Sequence, residues 1–133
     1  MVGHILYQEQ YFPDQFHSFI RKREDYFNAI IAYSVIQYIF KETDFWLFLE
    51  SSITMLKKGG ILFLGDIPNS SMRKRFLNSD DGIKFQSSFY KNESISQKEE
   101  ADNENKEIND IFIIDILIRA RNMGCHAWVV PQF

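Results

Sequence analysis

Two short apolar runs limit what this chain can fold into. Residues 28–36, NAIIAYSVI, and residues 61–64, ILFL, are continuous, largely apolar stretches rich in β-branched and aliphatic side chains, the pattern of strands covered on both faces. From Thr43 onward the period changes. Phe45, Phe48, Leu49, Ser52, Ile53 and Leu56 fall at helical spacing on one face, while Glu50, Ser51 and Lys57 point elsewhere. Thr43 is expected to cap this helix, with Asp44 in its first turn, Lys57 and Lys58 at the negative end of its dipole, and Gly59 as the left-handed residue that closes it. Strand, helix, strand in this order predicts a crossover and a parallel pair, hence an α/β fold class.

The flanks are less regular. HILY (4–7) reads as a short strand, and Pro13 pushes Phe12 out of helical conformation. Residues 14–27 carry the charge run RKRED, a solvated connection or one face of a short helix. Beyond Phe85 the chain turns polar, and residues 86–108 are expected to form a mobile polar insertion, either a lid over a site or a disordered segment, because compact domains rarely hold structureless connections above about 12–15 residues. Asn109 is placed to cap a last helix, DIFIIDILIRARNM, with Ile111, Ile114, Leu117 and Ile118 as its buried stripe, Arg119 and Arg121 near its carboxyl end and Gly124 as its terminator. CHAWVV (125–130) reads as a final strand stopped by Pro131.

The 133 residues fit one domain, 1–133, and 45% hydrophobic with 25% charged residues is a globular composition. A net charge of -3 supplies no general attraction for nucleic acid or an anionic membrane, so neither is expected as a partner. One cysteine, Cys125, excludes an intrachain disulfide and points to a reducing compartment, the cytoplasm by default. No apolar run reaches the roughly 18 residues that cross a bilayer, and the first residues lack the pattern of a signal peptide. His4, His17 and His126 show no metal-ligand spacing, so no metal is expected.

In open parallel sheets the ligand crevice lies beyond the carboxyl ends of the strands, so Tyr33, Ser34 and Asp66 should share one rim. Gly65 permits close backbone approach, Pro68 stops the strand, and Asn69 can cap a short helix carrying Arg73, Lys74 and Arg75. A plainer account has Asp66 organising a turn and the cations solvating a helix face. Ser34, Asp66 and His126 also follow the chain order of an α/β-hydrolase triad. Yet AYSVI puts Ala32 and Ile36 where the nucleophile turn wants small residues, usually glycine, and no glycine run precedes it to build an oxyanion hole. A non-catalytic α/β binding or scaffolding module is the other alternative.

FNAIIAYSVIQYI, the amphipathic helix, and MLKKGGILFLGDIPNSSMRKRFLNSDDGI together resemble the central and later part of a class I S-adenosylmethionine-dependent methyltransferase. That family runs an aspartate-led strand, a Ser-Val-Leu-His-Tyr-like segment, a Leu-Lys-Pro-Gly-Gly turn and an apolar strand; here Asn28, Gln37 and Lys58 replace the usual Asp, His and Pro. GDIPN and KRF, with ARNMGCHAWVVPQ, are similar to a bacterial subgroup found among sugar and surface-polysaccharide biosynthesis genes. The resemblance covers residues 4–133. It implies a partial Rossmann-like, mostly parallel sheet that lacks the first two strands and the last. In the complete protein it implies S-adenosylmethionine as cofactor and a small acceptor of the sugar- or nucleotide-linked kind.

Carried over residue by residue, it places Glu9, Tyr11 and Phe12 on the adenine side and Tyr33 and Ser34 beside the cofactor. Asp66 and Asn69 face the acceptor as catalytic candidates, and Gln37, Tyr38, Arg73, Lys74 and Arg75 contact the substrate. Two family features are missing. None of the six glycines (Gly3, Gly59, Gly60, Gly65, Gly82, Gly124) stands in a Gly-x-Gly-x-Gly turn, and no second-strand acid is present to hold the ribose. The isolated chain is therefore expected to be an inactive fragment whose open sheet edges favour a homo-oligomer.

Overall fold

A computed structural model of the chain describes residues 12–13, 16–90 and 107–131. They form two units, one extending through Ile67 and the other spanning Pro68–Pro131. The expected strand at 4–7 and most of the expected insertion lie outside the described residues. The class is mixed α/β: six helices and one two-stranded parallel sheet among the described residues.

The first unit contains α1 (His17–Arg21), β1 (Phe27–Tyr33), α2 (Ile36–Glu42), α3 (Phe45–Met55) and β2 (Leu56–Gly65). β1 pairs in parallel with β2, Ile30 opposite Leu62, Ala32 opposite Leu64 and Tyr33 opposite Gly65. The expected strand 28–36 ends three residues early. Ser34 turns into the left-handed region (φ 56°), and Ile36, fully buried, starts α2, which was not anticipated. A run as apolar as AYSVI reads equally well as strand or as buried helix start, and periodicity over so few residues cannot separate them.

The expected limits of α3 are also corrected. Its cap is Asp44, whose side chain accepts from the Trp46 and Leu47 amides at 2.9 and 3.2 Å. Thr43 instead closes α2, its hydroxyl donating to the Ile39 carbonyl at 3.1 Å. α3 stops at Met55 because the amides of Asp25 and Tyr26 donate to the Thr54 and Met55 carbonyls, filling acceptors that a helix end otherwise leaves open. Lys57, Lys58 and Gly59 therefore lie in β2, not in a helix end. Gly59 is left-handed (φ 79°), but it serves the irregular register between the pairs Phe27–Leu56 and Ala29–Ile61.

Phenylalanine builds the core of this unit. Phe12 meets Phe16 and Phe48 edge-on with ring centroids 5.7 Å apart, and Phe45 lies 5.8 Å from Phe48. Phe16, Phe45, Phe48, Leu49 and Met55 are buried with Ile36 and Ala32. The sheet, however, is covered on one face only, contrary to the expectation of two. Ile30, Ala32, Leu62 and Leu64 face the covered side, whereas Ile31, Tyr33, Ile61 and Phe63 stand exposed, Ile31 at 70%. A run without polar residues at alternate positions does not reveal which face will be covered.

The second unit holds α4 (Ser70–Leu77), α5 (Asp80–Tyr90) and α6 (Asp110–Asn122). Residues 86–90 belong to α5 and not to the expected polar insertion, and Ile108 is buried, its carbonyl accepting from Ser70 N–H at 2.9 Å. Asn69 and Asn109 cap α4 and α6 as anticipated. In α6 the buried residues are Ile116 and Ala120, while Ile111, Ile114 and Ile118 are exposed, which overturns the expected stripe. This helix is apolar around most of its circumference, so spacing alone cannot choose its inner face. Gly124 (φ 88°) ends it as expected. Residues 125–130 form no strand; the Arg121 guanidinium takes the Ala127 carbonyl instead, at 3.0 and 2.6 Å. No helix among the described residues is long and apolar enough to cross a membrane.

Candidate functional site

The carboxyl ends of β1 and β2 bring Ser34 and Asp66 together. The Ser34 amide donates to the Gly65 carbonyl at 3.1 Å, extending the ladder one step past the Tyr33–Gly65 pair. Its hydroxyl donates to Asp66 Oδ2. Both residues are left-handed, φ 56° at Ser34 and 54° at Asp66, a conformation that costs a non-glycine residue about 1–2 kcal/mol. Such a cost persists where the surroundings hold the backbone in place, and here the ladder and the hydroxyl–carboxylate bond do so. The side chains of Ser34 and Asp66 are half-buried and exposed respectively, so the pair is open to solvent. Chemically it is a carboxylate already holding an O–H donor. The same oxygen can accept a hydroxyl or amine proton from a bound molecule.

Gly65 serves this rim in a way that its sequence position did not reveal. A Cβ there would stand 2.5 Å from the Phe63 ring and 2.6 Å from the Tyr33 ring, so the two rings close over the glycine on the open face of the sheet. Gln37, in the first turn of α2, donates its amide to the Ser34 carbonyl at 3.0 Å and steadies the turn behind the hydroxyl. That bond fixes which end of the amide is nitrogen. Its Oε1 is buried with no hydrogen-bond partner among the described residues. Tyr38 is exposed on the same helix. Phe12 is packed against Phe16 and Phe48, and Glu9 and Tyr11 lie outside the described residues.

In the second unit Asn69 is committed to structure. Its Oδ1 accepts from the Ser71 and Met72 amides at 2.9 and 3.1 Å, and its Nδ2 donates to Asp110 Oδ1 at 2.9 Å. Arg75 donates to both carboxylate oxygens of Asp110, through Nη1 to Oδ2 and through Nη2 to Oδ1 at 3.3 Å. The Arg75 hydrogen bond, aided by that of Asn69, holds the Asp110 carboxyl below the ordinary aspartate value, and Asp110 in turn raises Arg75. Arg73 and Lys74 are exposed. Asp110 was not among the expected site residues, because nothing local in DIFIID marks it as the partner of a cation on another helix. His126 lies in the irregular segment of this unit, and the Ser34 hydroxyl is held by Asp66 directly, whereas in a hydrolase triad a histidine stands between serine and acid. No group of metal-binding side chains occurs among the described residues.

No protein-family model, curated protein or solved structure matches this chain.

Proposed function

We propose that this chain is the central and carboxyl-terminal part of a class I methyltransferase-like domain, acting in the complete protein on a small sugar- or nucleotide-linked acceptor. The supporting observation is the Ser34–Asp66 pair, hydrogen-bonded and left-handed at the carboxyl ends of two parallel strands, where open α/β sheets bind their ligands.

The residues present do not complete a site for S-adenosylmethionine. No Gly-x-Gly-x-Gly turn exists in the chain to approach the methionine portion. Cofactor binding on this reading depends on segments upstream. What these residues contribute is acceptor placement: Asp66 takes a proton-bearing group of the acceptor in the position that the Ser34 hydroxyl fills, and Gln37 holds the turn beneath it. In the second unit Arg75 is engaged by Asp110, whereas Arg73 and Lys74 are exposed.

The test is a radiolabelled methyl-transfer assay on the protein extended upstream, offered sugars and nucleotide-sugars as acceptors. Asp66→Ala should lower turnover far more than it weakens cofactor binding. Equal loss of both would place Asp66 on the cofactor side and sink this assignment. A non-catalytic binding module is the second reading, favoured by the exposed apolar sheet face of Ile31, Tyr33, Ile61 and Phe63; it predicts no transfer to any acceptor.

A further inference from the structure

The charge run after the first aromatic segment has a structural role that its composition conceals. Of its cations, Arg23 lies over the Phe19 ring at 3.8 Å, and the Lys22 amide closes α1 on the Ser18 carbonyl. Arg21 does neither. It stands one turn from His17 on α1, and both line an open surface cavity of about 390 Å³ with Ile20 from the same helix and Ser51 from α3. That volume is at the small end of ligand pockets.

Three residues with donor side chains line it: a guanidinium, an imidazole and a hydroxyl. Ser51 is 8% exposed as a residue, and its hydroxyl is not engaged in a hydrogen bond with any described residue. His17 and Arg21 are exposed. No described acidic side chain lines the cavity. A guanidinium, an imidazole and a hydroxyl beside an isoleucine suit an oxyanion attached to a small organic body.

We propose that this cavity binds a small phosphorylated molecule, its phosphate held by Arg21, His17 and Ser51 and its organic part lying against Ile20. Guanidinium matches phosphate oxygens in pairs, and the hydroxyl and imidazole reach the remaining oxygens of a tetrahedral group better than those of a planar carboxylate. The site is independent of the Ser34–Asp66 rim and of the methyltransferase reading.

The experiment is a series of proton–nitrogen NMR spectra of the chain titrated with inorganic phosphate at constant ionic strength, beside a matched acetate series. Saturable shifts at the amides of His17, Ile20, Arg21 and Ser51 with phosphate, and weaker ones with acetate, are expected. Arg21→Gln and Ser51→Ala should each weaken phosphate binding about tenfold, the scale of one lost hydrogen bond to a charged group. Lys22→Gln, which removes a neighbouring cation outside the cavity, should leave it nearly unchanged. Should Arg21→Gln lose the native spectrum, Ser51→Ala decides, since it removes a single oxygen. Shifts that do not saturate, that spread over all lysines and arginines, that acetate reproduces, or that survive Ser51→Ala at full affinity would overturn the proposal.

Discussion

The hydroxyl of Ser34 donates to the carboxylate of Asp66, 32 residues further along the chain, and both residues hold left-handed backbone at the ends of adjacent parallel strands. Two strained residues joined by one hydrogen bond make a testable energetic statement. Asp66→Gly removes the strain together with an exposed bond, so the free energy of unfolding should stay level or rise by about 1 kcal/mol. Asp66→Val, β-branched in the same backbone, should lower it by about 1–2 kcal/mol. Urea unfolding of both variants checks this, and equal losses would mean that the backbone is not held as described.

Gly82 makes a sharper steric prediction. It is buried at the start of α5, and a Cβ there would press into the carbonyl oxygen of Phe76 and stand 2.7 Å from its carbon, against backbone that cannot swing aside. The Ser79 hydroxyl, which donates to that same carbonyl and accepts from Gly82 N–H at 3.1 Å, would be displaced with it. Gly82→Ala should therefore cost about 3 kcal/mol, at the upper end of overpacking effects, although alanine is the better helix former. Thermal unfolding followed by circular dichroism measures it; a stabilised variant would show that the α4–α5 corner is looser than this.

Local chemistry made some of these elements legible in the sequence and left others hidden. Asn69, Asn109 and Gly124 were readable because a cap or a left-handed stop depends on a few adjacent residues. The ILFL strand was readable because every residue in it is apolar and flanked by turn residues. By contrast, α2 was hidden inside an apolar run that continues from β1, and the end of α3 is set by amides of Asp25 and Tyr26 from a distant part of the chain. The rim was half visible: topology indicated that Ser34 and Asp66 share an edge, but neither their left-handed backbone nor the hydrogen bond between them has a sequence signature. The role of Asp110 has no local sequence signature because its partner Arg75 lies 35 residues away.

That ion pair carries a pH prediction. The Asp110 carboxyl is held below its ordinary value by Arg75 first and Asn69 second, so the folded state binds its proton less readily than the unfolded chain does. Its contribution is present above the ordinary carboxylate range and is lost as pH falls through the lowered folded value. Asp110→Asn should thus be less stable than the parent at neutral pH, and the two curves should converge as the solution is acidified below that range. Both side chains are substantially exposed, so the gap should be small and should shrink in high salt. Unfolding midpoints from neutral to strongly acidic pH measure it, and a gap that widens toward low pH would contradict the assignment.

The open sheet face bears on assembly. Ile31, Ile61, Tyr33 and Phe63 form an exposed apolar surface on a sheet with only two strands among the described residues, so self-association through the sheet is expected. Light scattering should report a dimer or larger species, and Ile31→Lys should shift it to monomer while preserving helical content. A parent chain that is monomeric at every usable concentration would remove this expectation.

Calorimetric titration of S-adenosylmethionine tests the functional account most directly, performed on the 133-residue chain and on the protein extended upstream. Without the glycine turn and the ribose carboxylate, each such unmade polar contact costing about 1–3 kcal/mol, the chain alone should show no binding in the micromolar range. The extended protein should bind there. Micromolar binding by the 133-residue chain itself, or none by the extended protein, would contradict the account.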